Sequence, residues 1–129
     1  MKFCRAVELI NLESFQRKLE REGEAFLKHV FTAAERRYCE TKRTGVESYG
    51  ARYAAKKAMK RVLGIKASEF CWRDVEVLLR KNGKPYFNLK KLKQKKYMLS
   101  TGAFLDLSLA HERRIAVATV LMSNGTSKG

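Results

Sequence analysis

The stretch that decides the fold reads Gly50-Ala51-Arg52-Tyr53-Ala54-Ala55-Lys56-Lys57-Ala58-Met59-Lys60-Arg61-Val62-Leu63-Gly64. It predicts a helix over residues 46–63 that stops at Gly64. Tyr49, Tyr53, Ala54, Ala58 and Val62 recur at helical spacing and make its buried stripe. The alanines at 51, 54, 55 and 58 permit close packing against another element. Arg52, Lys56, Lys57, Lys60 and Arg61 fall on the remaining faces and make them strongly basic.

Upstream, residues 3–10 read as a strand with Glu8 near its end. Residues 11–30 read as a helix whose apolar side is Leu12, Phe15, Leu19, Phe26 and Val30. Thr32 is a predicted N-cap for a second helix ending near Glu40, because Glu35 stands three residues later in capping-box position. Downstream, residues 74–79 read as a strand. Asn82-Gly83-Lys84-Pro85 supplies a turn, and Tyr86 and Phe87 begin the return strand. Residues 88–96 are Lys-rich, with Leu89 and Leu92 as anchors. Two apolar strands, 104–109 and 115–122, are joined by residues 110–114. The expected architecture is α+β, helices packed on a mostly antiparallel sheet. It forms one domain over residues 1–122, and the small polar tail 123–129 is expected to fray.

The chain has 129 residues, 45% of them hydrophobic, which suits one globular domain. Lys and Arg number 28 against 13 Asp and Glu, a formal net charge of +15. Such a balance disfavours a cationic partner and favours a polyanion or a phosphorylated small molecule. The three cysteines, Cys4, Cys39 and Cys71, are far apart and form no C-x-x-C pair, so reduced thiols are expected rather than a disulfide framework. Their spacing to His29 and His111 offers no zinc site. The N-terminus is charged at Lys2, Arg5 and Glu8, without a signal-peptide apolar region, and no apolar run approaches the ~18 residues of a membrane span. A cytoplasmic protein is the expectation, with no membrane partner.

Four segments, in order, resemble the holo-acyl-carrier-protein synthases, the short 4′-phosphopantetheinyl transferases. Residues 8–15, Glu-Leu-Ile-Asn-Leu-Glu-Ser-Phe, resemble that family's opening D-I-V-E-I-x-R-[IF]. Residues 30–35, Val-Phe-Thr-Ala-Ala-Glu, resemble its [VI]-L-T-x-x-E. Residues 50–58 followed by Leu63-Gly64 resemble its G-R-F-A-x-K-E-A…[LF]-G. Residues 74–77, 83–85 and 107–111 resemble D-I-E-V, G-K-P and V-S-[IL]-[ST]-H. The match runs nearly the full length.

The resemblance implies transfer of phosphopantetheine from coenzyme A to a serine of an acidic acyl carrier protein, by a homotrimer with sites at subunit interfaces. It implies a magnesium ion on the coenzyme A pyrophosphate. Glu8 stands at the place of one metal-binding carboxylate, and Lys56 and Lys57 fall in the catalytic motif. Arg52, Lys60, Arg61 and His111 are the implied coenzyme A contacts. Ser14 replaces the arginine expected to meet the carrier protein, so Arg17, Lys18 and Arg21 on the same helix are the candidate substitutes. Asn11 replaces an acidic residue. The second metal-binding carboxylate is replaced by Lys57, and an ammonium cannot ligate magnesium.

Lys57 leaves three readings. It pairs with Glu8 and closes an empty metal site, it stands over the pyrophosphate as a fixed cation, or it points to solvent. The first corresponds to a catalytically degenerate paralogue that binds coenzyme A or an acidic carrier protein. A third class, nucleic-acid binding, is suggested only by the basic stretch 80–96 with Tyr86 and Phe87 interleaved. No nucleic-acid motif accompanies it, so nucleic acid is not the expected partner.

Overall fold

The computed structural model describes residues 3–94 and 104–123. Strand β1 (Phe3–Asn11) runs into helix α1 (Leu12–Val30), followed by α2 (Ala33–Glu40) and α3 (Gly45–Leu63). Two single 3-10 turns lead to the hairpin β2 (Glu76–Leu79) and β3 (Pro85–Asn88), then the short α4 (Lys90–Gln94). Strands β4 (Leu105–His111) and β5 (Ile115–Ser123) close the chain. The strands form two antiparallel sheets, β1-β5-β4 and β2-β3.

The expected α+β architecture is the observed one, with shifts at the element ends. Asn11 caps α1, its Oδ1 accepting from the Ser14 N–H at 2.9 Å. The helix is interrupted at Gly23, whose φ of 57° and ψ of −137° only glycine adopts without strain. The apolar side survives the break: Leu12, Phe15, Phe26 and Val30 are all buried. The capping box of α2 forms, Thr32 accepting from the Glu35 N–H and Glu35 from the Thr32 N–H. Gly64 ends α3 in the left-handed conformation, φ 67°.

Three sequence expectations are corrected. Asp74 lies in a 3-10 turn, so β2 begins at Glu76. Ala110 and His111 extend β4 instead of belonging to the connection. Ser123 belongs to β5 and is buried, its Oγ accepting from the Phe104 N–H at 3.0 Å and its N–H donating to the Phe104 carbonyl. The expected frayed tail beyond it, residues 124–129, lies outside the described residues, as do Lys95 and Lys96 of the Lys-rich stretch. Its anchors Leu89 and Leu92 are buried as expected.

Helix α3 lies across the three-stranded sheet. Its Ala51, Ala54, Ala55 and Ala58 are buried, and they face a strand side built from Ala6, Ile10, Ala116, Ala118, Val120 and Leu107. Small residues on both layers bring the backbones close. Gly50 lies under the start of α1, where a Cβ would come within 2.5 Å of Leu12 Cδ2, and against the sheet at Ala116, 3.7 Å away. Alternation on β1 sends Phe3, Val7 and Leu9 to the opposite face, where they stay exposed with Ile115 of β5. The hairpin is tied to the sheet edge by Lys84, whose Nζ meets Asp106 at 3.0 Å and the Leu107 carbonyl at 3.3 Å. Among the described residues, no helix is long and apolar enough to cross a membrane.

Candidate active site

Glu8 occupies an inward position of β1, between buried Ala6 and Ile10. It is the one carboxylate on the side of β1 that faces α3, and the C-terminal half of α3 supplies its partners. Arg61 Nη1 lies 2.9 Å from Glu8 Oε2 and also donates to the Val7 carbonyl at 3.3 Å. Lys57 Nζ lies 3.9 Å from Glu8 Oε1. Lys57 and Arg61 are four residues apart and therefore share a helix face. Glu8, Lys57, Lys60, Arg61, Gly64, Ile65 and Trp72 line an open cleft of about 370 Å3.

Trp72, in the lining of this cleft, begins an aromatic stack that runs behind it. Trp72 stacks on Tyr53 at a centroid distance of 5.2 Å, and Tyr53 stacks on Phe15 at 5.4 Å. Lys60 Nζ sits over the Trp72 and Phe70 rings at 5.7 and 5.6 Å, and Lys57 Nζ over Tyr53 at 5.6 Å. The rings hold the lysine heads in place without neutralising them. Sequence reasoning overlooked Trp72. It is the chain's only tryptophan, the one signal that could have drawn attention to it.

Lys56 does not share this cleft. It is fully buried, not on the basic face expected for it, and all three of its protons are taken. Its Nζ lies 2.9 Å from Glu35 Oε1, and it donates to the Trp72 carbonyl at 3.0 Å and the Val75 carbonyl at 2.8 Å. Glu35 is closed as well: Oε1 accepts from the Thr32 N–H at 2.8 Å and Oε2 from the Val77 N–H at 2.7 Å. Burial lowers the Lys56 pKa from its usual range, and the Glu35 carboxylate opposes that shift. Lys56 therefore ties α3 to α2 and to the segment that leads into β2, and has no proton left for a ligand.

The other implied coenzyme A contacts lie elsewhere on the protomer. Arg52 is buried, its guanidinium 4.3 Å above the Tyr38 ring and its Nη1 bonded to the Ser48 carbonyl at 3.2 Å. Among the described residues its Nε has no partner. His111, at the end of β4, has Nδ1 3.6 Å from Glu47 Oε2. Glu47 and Arg61 are 14 positions apart on α3, about 21 Å along the axis at 1.5 Å per residue. His111 and the Glu8 cleft are thus at opposite ends of one helix. Asn11 is engaged as a helix cap and does not line the cleft.

On α1 the candidate carrier-facing cations Arg17 and Arg21 are exposed and Lys18 is half-buried, and all three are already paired. Arg17 meets Glu13 at 3.4 Å, Lys18 meets Glu22 at 2.9 Å, and Arg21 meets Glu22 at 3.5 Å. Such exposed pairs are worth about 1 kcal/mol or less, so a stronger anionic partner can exchange for them.

The donor set does not fit magnesium. A hard dication wants several oxygen ligands, and this cleft offers one carboxylate already held by a guanidinium. No group of three or more His, Cys, Asp or Glu that could hold a metal exists among the described residues.

No family model matches the chain. A curated relative from Ruminiclostridium cellulolyticum, named holo-[acyl-carrier-protein] synthase, is 35% identical over 98% of this chain and 96% of its own length. The chain belongs to the holo-[acyl-carrier-protein] synthase family. A second such synthase, from Desulforudis audaxviator, is 36% identical over 87% of this chain and 86% of its own. Among solved structures, the synthase of Chronobacterium ammoniagenes in complex with coenzyme A superimposes with a TM-score of 0.82 at 28% identity, covering 95% of this chain and 97% of that one. The resemblance in the four sequence segments is therefore confirmed at the level of family and fold.

Proposed function

We propose that this chain transfers the 4′-phosphopantetheine group of coenzyme A to a serine of an acidic acyl carrier protein. The serine Oγ forms a bond to the phosphorus that carries pantetheine. The bond from that phosphorus to the bridging oxygen of 3′,5′-ADP breaks, and its electron pair leaves with 3′,5′-ADP. The serine proton passes to water. Transfer of this kind needs positioning and charge neutralisation more than covalent help from the protein. The observation that carries the reading is the cleft itself, with Arg61 fixed on Glu8 beside Lys57 and Lys60, in a chain matched end to end by holo-[acyl-carrier-protein] synthases.

Within this reading, Lys60, Arg61 and Lys57 bind the pyrophosphate of coenzyme A, and Arg17, Lys18 and Arg21 meet the carrier protein. The outer face of β1 and β5 exposes Phe3, Val7, Leu9 and Ile115, Leu9 by 63% and Phe3 by 58%, with Arg5 among them. A mainly apolar sheet face of this kind suits burial against further copies of the chain. We assign it to a homotrimer. His111 of one copy, exposed at the end of β4, would then reach the cleft of its neighbour, whereas the buried Arg52 stays within its own protomer. The free thiols of Cys4, Cys39 and Cys71 agree with a cytoplasmic location.

Incubating the purified chain with coenzyme A and apo carrier protein tests the proposal. The expected outcome is a carrier heavier by one phosphopantetheine group, with an equal amount of 3′,5′-ADP. An unmodified carrier, with coenzyme A still bound by the protein, would instead make the chain a degenerate paralogue.

A further inference from the structure

The cleft around Glu8 contains three cations and one carboxylate, a formal charge of +2 where a dication was implied. Glu8 is inward and only 15% exposed on its side chain, while Arg61 and Lys57 are 61% and 40% exposed. The carboxylate is thus the fixed partner, and the cations reach out from it into the open space. Glu8 acts on Arg61 as an anchor: one oxygen holds Nη1 at 2.9 Å and the Val7 carbonyl takes its second proton at 3.3 Å, leaving Nη2 and Nε for a ligand. A planar guanidinium held in this way presents a fork that matches two phosphate oxygens. Lys57, one turn earlier, adds a point charge beside it, held over Tyr53.

We propose that Lys57 and Arg61, with Lys60 beside them, together take the place of the divalent ion, neutralising the pyrophosphate of coenzyme A, so that binding and transfer proceed with no metal. This rests on the transferase reading for the reaction, but its charge assignment is testable by binding alone. The phosphorus–oxygen exchange is the one written above, and these side chains offset the charge that develops on the departing 5′-phosphate of 3′,5′-ADP. Glu8 becomes a positioning residue for Arg61 instead of a metal ligand.

The test uses the full chain, coenzyme A, apo carrier protein and either excess chelator or magnesium. Coenzyme A affinity by calorimetry is expected to be the same within twofold in both conditions, and 3′,5′-ADP release likewise. Lys57→Ala is expected to weaken coenzyme A at least tenfold in chelator. Lys57→Glu restores a second carboxylate beside Glu8. It is expected to bind manganese, read by electron paramagnetic resonance, whereas the unaltered chain binds none. It is also expected to lose activity in chelator and regain it with magnesium.

Transfer that stops in chelator and returns with magnesium would overturn the inference while upholding the transferase reading. An unchanged coenzyme A affinity in Lys57→Ala would overturn the inference as well, whatever the transfer assay shows. Metal-independent coenzyme A binding that falls in Lys57→Ala, with no transfer in any condition, would uphold the charge assignment and overturn the transferase reading.

Discussion

Lys56 and Lys57 are neighbours in sequence and opposites in the fold. Lys56 Nζ is enclosed by Glu35 and two backbone carbonyls. Lys57 Nζ rests over Tyr53, 3.9 Å from a carboxylate that Arg61 already holds more closely. The 100° step between consecutive helical positions separates the two environments. In one, a buried charge is tolerated because every proton has an acceptor. In the other, charge is left over, and a ligand can use it. Two lysines in one motif can therefore serve stability and chemistry separately.

The sharpest way to break this comparison is to remove each lysine in turn. Lys56→Met leaves Glu35 buried without its counter-charge, and is expected to cost about 3–5 kcal/mol in chemical denaturation. Lys57→Met, at a partly exposed position, is expected to stay within about 0.5 kcal/mol of the unaltered protein. Equal losses for both would mean that the cleft is also a structural pair. Next in size is Arg61→Ala. It is expected to lower the transfer rate by on the order of 10²-fold with little change in denaturation midpoint, as loss of one preorganised donor does elsewhere. A matching fall in stability would move Arg61 to the side of Lys56.

The smallest effect concerns the thiols around the two regions. Burial pushes the Cys39 thiol, which packs near Lys56, up to about 12. At pH 8 that leaves roughly one part in 10⁴ as thiolate, and access is blocked as well. Alkylation is expected to modify exposed Cys4 first and to reach Cys39 only through unfolding. In Lys56→Met the Cys39 rate should rise with the loss of stability, whereas in Lys57→Met it should not. Mass spectrometry of the labelled peptides reads both.

Much of the fold was legible in the sequence because its signals are local. The apolar positions of α1, the Thr32–Glu35 capping box and the Gly64 stop each depend on residues a few positions apart, and each is present. The role of Glu35 was only half visible. Its bond to the Thr32 N–H is local, but its pairing with Lys56 spans 21 positions and requires α2 and α3 to pack. Tyr86 and Phe87, read as aromatics within a basic stretch, are explained by packing instead. Phe87 is buried, and Arg80 covers the Tyr86 ring at 4.3 Å. Asn11 shows the reverse case, since its capping bond is local but the family motif drew attention to other chemistry.

The sequence by itself determined the family motifs, the order of helices and strands, the excess of positive charge, and the substitution of Lys57 for an expected carboxylate. These follow from composition and short-range spacing, which exist in the unfolded chain. Only the tertiary structure decided that Lys56 belongs to the core, that Arg61 is anchored by Glu8, and that His111 and Arg52 stand away from that cleft. Those facts depend on which face of α3 meets the sheet, and on strand register across β1, β5 and β4. Both are set by long-range packing of small residues such as Gly50 and Ala116, which residue spacing alone does not reveal.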